Sequence, residues 1–550
     1  MRHDPTTRAR HVLTRALPLT ALLFGVASLP YMYGFWSSPA DRVFTGLLFD
    51  VPDHAQYWSW VTASQASLFI SNTMTPEPNA PIFINPMMWL LARIQLLAGL
   101  SFPALLQVWR LLATVAVVPA VLAFVRTFVI DSRRRPVALL IALLGSGLGW
   151  TLLLVKKLTG RADIPWPHDV YTVEPNTFWA LLSYPYLSLA HALMLGTFIG
   201  VWLAWRERRT GGYLVAAGSA AALSASHAYD LITVYVVLGV FVLVEWVHAR
   251  RVPTRLVGVL ALVGAASGPT ALYYQQLTTH DPLWRAILSQ YSNAGVWTPP
   301  PYQLPLLMGV PLLLAIASLG TTEWSVERRF LATWAGVSLL LMYLPVVYQI
   351  KLLAGWQFPL ALLATDAWHD GVEPALSRRI PWRMPRRAAM VACLALVMGT
   401  NVYLFAWRFV DLRRHDAPYY LHRDEVDALS WLATHTSPGD VVLAREDVGR
   451  FVPNYGRTRS FLAHWAMTTR YFERRDLVTR FFDATASDTA WRTDVLTQNH
   501  VTLVVDSGSG EASVLRGSSG PFELAFSRPN ARIYRVAPTG TLAGAQGQQP

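Results

Sequence analysis

Some eleven stretches of mostly apolar residues limit what this chain can become, because about 20 such residues is the length a helix needs to cross a bilayer. They lie near residues 16–36, 104–130, 137–155, 185–205, 212–229, 230–248, 256–275, 303–320, 330–348, 352–368 and 388–410. The fold class expected is therefore a polytopic α-helical membrane protein. Composition agrees: 15% of the 550 residues are charged, against about a quarter in a soluble domain. The 22 tryptophans and 21 tyrosines suit side chains that anchor helices at headgroup depth. No small-residue cleavage site follows 16–36, so this run reads as a retained first helix rather than a signal peptide.

The connections give the orientation. The N-terminal tail carries Arg2, Arg8, Arg10 and Arg15, and every second connection after it is basic: Arg133 to Arg135, Arg206 to Arg209, Arg250 with Arg251 and Arg255, Arg328 with Arg329, and Arg378 through Arg387. The alternate connections, 37–103, 156–184 and 276–302, are longer and more acidic, with Lys156 and Lys157 as the exception. The positive-inside rule then puts the N-terminus in the cytoplasm and the C-terminus outside, in the inner membrane of the cell. Pro86 to Leu100 is apolar but short and contains Arg93 and Gln95. Were it a span, every later basic loop would change sides, so it reads as an amphipathic helix lying on the outer surface.

The net charge of +12 is spread over these short basic clusters, and no basic-aromatic module accompanies it, so no nucleic-acid partner is expected. The single cysteine, Cys393, lies in an apolar run, which excludes an intrachain disulfide. No P-loop, no GxGxxG opening a helix after a strand, no HExxH and no CxxC occurs, which argues against an ATP-driven or redox machine.

After Arg408 the composition becomes that of a soluble domain. His422 to Thr434, Arg474 to Phe482 and Thr489 to Gln498 read as helices, and Val441 to Ala444 and Val501 to Val505 as buried strands. Phe522 to Phe526 and Ala531 to Val536 form a closing hairpin in this reading. The expected organisation is a transmembrane region over 1–411, with surface helices in the first outer loop at 37–103, then a small extracytoplasmic α/β domain over 412–537. A Gly/Gln/Ala-rich tail, 538–550, is expected to be disordered.

Four polar clusters are expected at the outer ends of spans. Asp50 and Asp53 follow the first span; either suits a general base or a cation ligand, while Asp53 equally suits an N-cap. Glu174 opens the second cluster, followed by Ser183 to Tyr186 and then His191, inside a helix where a histidine is costly unless partnered. A neutral imidazole bonded to a neighbouring helix reads equally well there. The third cluster, Ser226 to Asp230, offers His227, Tyr229 and Asp230 to a polar cavity or to a solvated turn. Lys351, in the fourth, is a lone cation suited to a lipid phosphate, or else to snorkelling toward ordinary headgroups.

In this order and on one face, these clusters resemble the GT-C superfamily of integral membrane glycosyltransferases, and a bacterial branch of it in particular. The stretches that carry the resemblance are Asp53 to Tyr57, Met74 to Pro78, Ala98 to Leu100, Arg110 near a helix start, Glu174 to Phe178, Ser226 to Asp230 and Lys351 through Gly355 to Pro359. Ala463 to Trp465 and Arg474 through Phe482 are similar to the extracytoplasmic domains of that branch. The resemblance implies a polyprenyl-phosphate sugar as donor, a glycan, lipid or protein acceptor, and direct displacement at the anomeric carbon. It makes Asp53 or Asp50 the catalytic base and Lys351 the ligand of the donor phosphate. Glu174, His191, His227, Asp230, Tyr57 and Arg110 become substrate-binding candidates. The sequence departs from the family pattern at Ser183 to Tyr186, where a Pro-His pair is expected and the histidine stands instead at His191. The sequence names no cofactor, and Asp50, Asp53 and Glu174 leave room for a divalent cation. A transporter or flippase of lipid-linked glycans would carry its ionisable residues near the bilayer midplane. A non-catalytic envelope assembly protein would tolerate neutral residues at Asp50 and Asp53.

Overall fold

The computed structural model describes residues 5–320, 324–379, 383–483, 488–507, 515 and 522–537. The tail expected over 538–550 lies outside them. The chain divides into two compact units: residues 1–30, 107–276 and 292–409 form the first, and residues 31–106, 277–291 and 410–550 the second.

Among the described residues, seven helices are long and apolar enough to cross a membrane: Ala16–Trp36, Phe102–Phe128, Pro185–Trp205, Asp230–Ala249, Thr254–His280, Pro301–Ser318 and Arg387–Arg413. An eighth span forms if Arg135–Leu144 and Gly149–Thr159, bent by 52°, are taken together. The remaining three apolar runs also fold as helices, but shorter ones: Thr210–Ser226 has 17 residues, Val326–Leu341 has 16 and Gln357–Ala367 has 11. The last runs on without a break through a π turn, Trp368–Val372, into Glu373–Arg379.

In the first unit the Pro185–Trp205 helix is central, with 78% of its apolar window buried, against 22% for Thr254–His280. Small residues let Thr210–Ser226 lie directly on it. A Cβ at Gly200 would overlap the Ala216 backbone nitrogen, and one at Gly212 would overlap that of Ala204. Backbones this close are how helices gain packing energy in lipid, where burial of apolar surface gains nothing. Aromatic rings fill the wider spaces: Phe128 stacks on Phe330 at 5.0 Å, and Phe198 meets Trp334 at 4.5 Å.

The 52° bend has an identifiable cause. Gly145, Ser146 and Gly147 leave the helix, and the freed backbone groups find partners on neighbouring elements. Ser146 N donates to Val397 O, Leu148 N to Leu306 O, and Asn401 Nδ2 to Leu144 O, all within 2.9 Å. A Cβ at Gly147 would collide with Leu306 O. A broken helix is tolerated at membrane depth when protein satisfies the broken backbone in this way.

The second unit is built on a five-stranded mixed sheet in the order Arg459–Ser460, Val441–Ala444, Leu503–Ser507, Ala531–Val536, Phe522–Arg528. Val441–Ala444 pairs in parallel with both neighbours, and Ala531–Val536 pairs antiparallel on both sides. Every residue of Val441–Ala444 and Leu503–Ser507 is buried, as continuous apolar runs in covered strands should be. The helices Arg423–His435, Tyr471–Phe481 and Thr489–Gln498 accompany the sheet. Arg42–Phe44 pairs antiparallel with Tyr420–His422, which ties the first long loop to the C-terminal segment. Pro86–Ala98 is a 13-residue helix with Met88, Leu91 and Ala92 buried and Leu90, Leu96 and Leu97 exposed.

Candidate active site

In the second unit the Val51–Ser64 helix carries both candidate bases. Its N-cap is Asp50, in the left-handed region at φ 42°, with no side-chain capping bond. Asp53 is thus the third helical residue, not the N-cap that its spacing also allowed. A carboxylate in the first turn faces the positive end of the helix dipole. Pro52 beside it gives up no hydrogen bond, because first-turn N–H groups have no helical partner. His54 turns back to hold Asp50 O through Nδ1 at 2.9 Å, and Tyr57 packs edge-on against His54 at 5.7 Å.

Asp53 Oδ1 lies 3.0 Å from His464 Nε2. His464 is 1% exposed and Asp53 19%. The backbone N–H groups of Ala466 and Met467 both donate to His464 Nδ1, at 3.0 and 3.2 Å. A ring nitrogen that accepts cannot carry the proton, so the proton is assigned to Nε2, which donates it to Asp53. Charging this ring would sacrifice both backbone bonds. Asp53 is therefore held by a neutral donor in a fixed tautomer, which orients the carboxylate without supplying a positive charge.

The turn that presents His464 is bolted from several directions. Thr468 Oγ1 donates to Met74 O at 2.6 Å and accepts from Ala463 N and His464 N. Asn72 Nδ2 holds Met467 O, and Gln290 Nε2 holds Ala466 O and Thr468 O. Glu77 accepts from Thr469 at 2.8 Å, from Thr75 and from the Arg474 guanidinium. Burial pushes the Glu77 carboxyl up, but these hydrogen bonds and the Arg474 charge outweigh it and hold Glu77 below its ordinary value. Burial also lowers Arg474, yet a guanidinium keeps its proton in proteins, so the pair is ionic.

In the first unit the other three clusters meet. Lys351 Nζ pairs with Glu174 Oε1 at 3.0 Å, so Lys351 is not the lone cation that the sequence suggested. It sits on a short 3-10 turn, Gln349–Leu353. That turn is followed by Gly355 at φ +81°, where a Cβ would meet the Met194 sulfur at 2.6 Å and the Trp334 ring at 3.2 Å. His191, fully buried, reaches Glu174 O through Nε2 at 3.0 Å. Tyr186 donates to Ser226 O, and the Tyr229 and Tyr348 rings are 4.9 Å apart. His227 Nδ1 and Asp230 Oδ2 are 3.1 Å apart, within ion-pair distance but out of line for a hydrogen bond. His191 Nδ1, His227 Nδ1 and both Asp230 oxygens are buried without a hydrogen-bond partner among the described residues. Such orphans call for water or a ligand. Arg110 is elsewhere in this unit, 1% exposed, donating to Ala27 O at 2.8 Å and to Gln107.

Solved structures share this fold. The chain matches the oligosaccharyltransferase of Archaeoglobus fulgidus in its apo form at 12% identity, over 95% of this chain and 74% of that one, with a TM-score of 0.56. The same protein tethered to an acceptor peptide matches at 13% identity, over 94% and 74%, with a TM-score of 0.53. The mycobacterial arabinofuranosyltransferase AftD matches at 14% identity over 94% of this chain but only 42% of its own length, with a TM-score of 0.55. The chain shares the fold of these transferases. No family model matches the sequence, and no curated protein matches it by sequence. At 12–14% identity the likeness is one of fold.

On this scaffold two residues stand out that the sequence does not mark as site candidates. His464 is visible there only as part of Ala463 to Trp465, because nothing local reveals that it partners a residue over 400 positions away. Asp169 stands in a long loop where no pattern distinguishes it. It accepts from Gly149 N at 2.9 Å and from Thr400 Oγ1 at 2.6 Å, capping the second half of the bent helix pair. Burial pushes its carboxyl up to about 6, against those two hydrogen bonds. Among the described residues, no group of three or more His, Cys, Asp or Glu is placed to hold a metal ion. No step below runs through a cation.

Proposed function

We propose that this protein is a membrane glycosyltransferase that moves a sugar from a polyprenyl-phosphate donor to an acceptor hydroxyl at the extracytoplasmic face of the inner membrane. The observation that carries the reading is Asp53 in the first turn of its helix, held by the neutral Nε2–H of His464. An alcohol is a poor nucleophile until its proton is accepted, and a positioned base is worth about 10²–10⁴-fold in rate. In the proposed reaction the acceptor oxygen attacks the anomeric carbon, and its proton passes to Asp53. The bond from the anomeric carbon to phosphate oxygen breaks, and polyprenyl phosphate leaves with the electron pair. Lys351 holds the donor phosphate and neutralises the charge that grows on it, a charge-assisted contact suited to headgroup depth. Glu174 keeps Lys351 aimed before the donor arrives. The A. fulgidus and mycobacterial neighbours, both named as glycosyl-group transferases, support this class of reaction.

The test is donor consumption by purified protein in liposomes, supplied with a panel of polyprenyl-phosphate sugars and a membrane extract as acceptor source. Wild type should consume one donor, Asp53→Asn should lose at least about 100-fold in rate, and Asp50→Asn should retain activity. Equal consumption by Asp53→Asn would remove Asp53 from the mechanism. No consumption of any donor would count against the transferase reading.

A further inference from the structure

The second unit contains an open cavity of about 450 Å³ beside the edge strand Arg459–Ser460. Arg457 and Arg459 both line it, and among the described residues no carboxylate does. Arg459 is anchored, with Nη1 donating to Pro76 O at 2.5 Å and Nη2 to Gly439 O at 2.6 Å. Both partners are neutral carbonyls, so the guanidinium is held in place while its charge stays uncompensated. Arg457 is exposed, and it has no hydrogen bond or ion pair among the described residues. The acids nearest in sequence to the lining are spent elsewhere. Glu77 is paired with Arg474, and Asp440 Oδ2 accepts from Ser437 N at 2.7 Å. The remaining wall is of two kinds: Phe69, 48% exposed, and Pro81 are apolar, while Ser71 and Thr73 bring hydroxyls.

We propose that this cavity binds an acidic sugar unit of a glycan acceptor, whose carboxylate or phosphate is met by Arg457 and Arg459. Two uncompensated guanidiniums raise the positive potential of one concavity, and an oxyanion there gains charge-assisted hydrogen bonds from both. Charge alone would suit a free phosphate or an acidic peptide as well. The apolar wall favours a sugar, because the C–H face of its ring can lie on Phe69 and Pro81 while its hydroxyls meet Ser71 and Thr73. A free phosphate has no apolar face to place there. An acidic peptide would dock by adding a strand to the sheet edge, but the outward N–H of that edge, Ser460 N, is already taken by Thr73 O at 3.0 Å. The volume falls in the range of small-ligand sites, about 300–1,000 Å³. Ala63 lines the cavity near the end of the Val51–Ser64 helix. Asp53 is ten residues earlier on that helix, about 15 Å along the axis. The acidic unit is therefore a different one from the unit whose hydroxyl reacts. Its role as acceptor subsite rests on the transferase reading; the binding itself does not.

The test is titration calorimetry and saturation-transfer NMR on the full chain in nanodiscs of zwitterionic lipid. The probes are an oligouronate and an oligosaccharide phosphate, each beside its neutral counterpart of the same length, with inorganic phosphate and an acidic peptide as controls. At least one acidic oligosaccharide should bind wild type at least tenfold more tightly, about 1.4 kcal/mol, than its neutral counterpart and than both controls. Arg457→Gln should remove that preference with an unchanged melting temperature, since Arg457 gives up no partner. Arg459→Gln should remove it too, with a lower melting temperature as the Pro76 and Gly439 carbonyls lose their donor. Arg528→Gln takes the same charge from the opposite edge strand of the sheet and should leave binding as in wild type. No preference for an acidic over a neutral oligosaccharide would overturn the proposal. So would binding of either control as tight as that of the acidic oligosaccharide, an Arg457→Gln variant that binds as wild type does, or an equal loss in Arg528→Gln. A donor assay run alongside separates the two readings. Acidic-glycan binding without donor consumption leaves the subsite and removes the transferase, whereas consumption without binding does the reverse.

Discussion

The two ring nitrogens of His464 do different work, and each can be removed while the other is kept. In His464→Asn the side-chain oxygen falls near the position of Nδ1 and can still accept from Ala466 N and Met467 N, but nothing reaches Asp53. In His464→Gln the side-chain nitrogen falls near Nε2 and can still donate to Asp53, at the expense of the turn. A hydrogen bond to a charged group is worth about 1.5–3 kcal/mol, and each 1.36 kcal/mol of barrier is about tenfold in rate. If that bond serves to hold the base, His464→Asn should lower kcat by about 10–150-fold with donor KM nearly unchanged. Its melting temperature should fall little, since the two backbone donors keep their acceptor. His464→Gln should show the opposite split, with kcat within about threefold of wild type and reduced thermal stability from two buried N–H groups left unpaired, about 1–3 kcal/mol each. The assay is initial-rate donor consumption in liposomes, with differential scanning fluorimetry on the same preparations. His464→Asn with wild-type kcat would refute the reasoning, because Asp53 would then not need the 3.0 Å contact.

Three further outcomes follow from other side-chain pairs. Lys351→Met should raise donor KM at least about tenfold and lower the melting temperature by stranding Glu174, while Glu174→Gln added to it should recover stability but not KM; recovery of KM in the double variant would show that Lys351 does not hold the phosphate. Asp169 rises from 3.8 to about 6 on folding, so its contribution to stability is full below the lower value and lost as pH climbs through the upper one. At about 1.36 kcal/mol per pH unit that is about 3 kcal/mol, and the melting temperature of Asp169→Asn should lack the decline between about pH 4 and 7 that wild type shows; equal slopes would refute it. Glu77 is shifted the other way, so its stabilising effect is present above its ordinary 4.5 and lost as pH falls below that value. Because Glu77 is 37% exposed, Glu77→Gln should cost about 1–2 kcal/mol rather than the roughly 3–5 of a fully buried pair, measured as a lower melting temperature at neutral pH that converges with wild type in acid.

Much of this was legible from residue order alone, and the reason is physical. Apolar runs of spanning length and the Ser226 to Asp230 break are local signals: each of the eleven runs carries a helix, although 330–348 leaves it after Leu341 and 137–155 breaks at Gly145. The strands Val441–Ala444 and Ala531–Val536 and the helix Thr489–Gln498 have bounds that agree to the residue. What local pattern cannot give is the partner of a polar side chain. Lys351 reads as a lone cation because Glu174 is 177 positions away, and Asp53 reads as an N-cap because the rule is blind to a left-handed Asp50 just before it.

The Asp53–His464 contact sits within a set of matching polar residues on the first loop and the C-terminal segment. Asn72, Thr75 and Glu77 are spent on the backbone and side chains of residues 466–474, and Gln290 reaches the same turn from a third stretch of chain. None of these side chains can act as base or nucleophile in such a role, since each is consumed by a partner. Their common product is the position of one imidazole ring whose second nitrogen meets Asp53. In the proposed reaction these buried hydrogen bonds, each worth about 1 kcal/mol net and costly to leave unmade, serve to orient the carboxylate that takes the proton. Apolar packing of the kind seen between Trp60, Phe83 and Trp284 would hold the two stretches together without any polar partner.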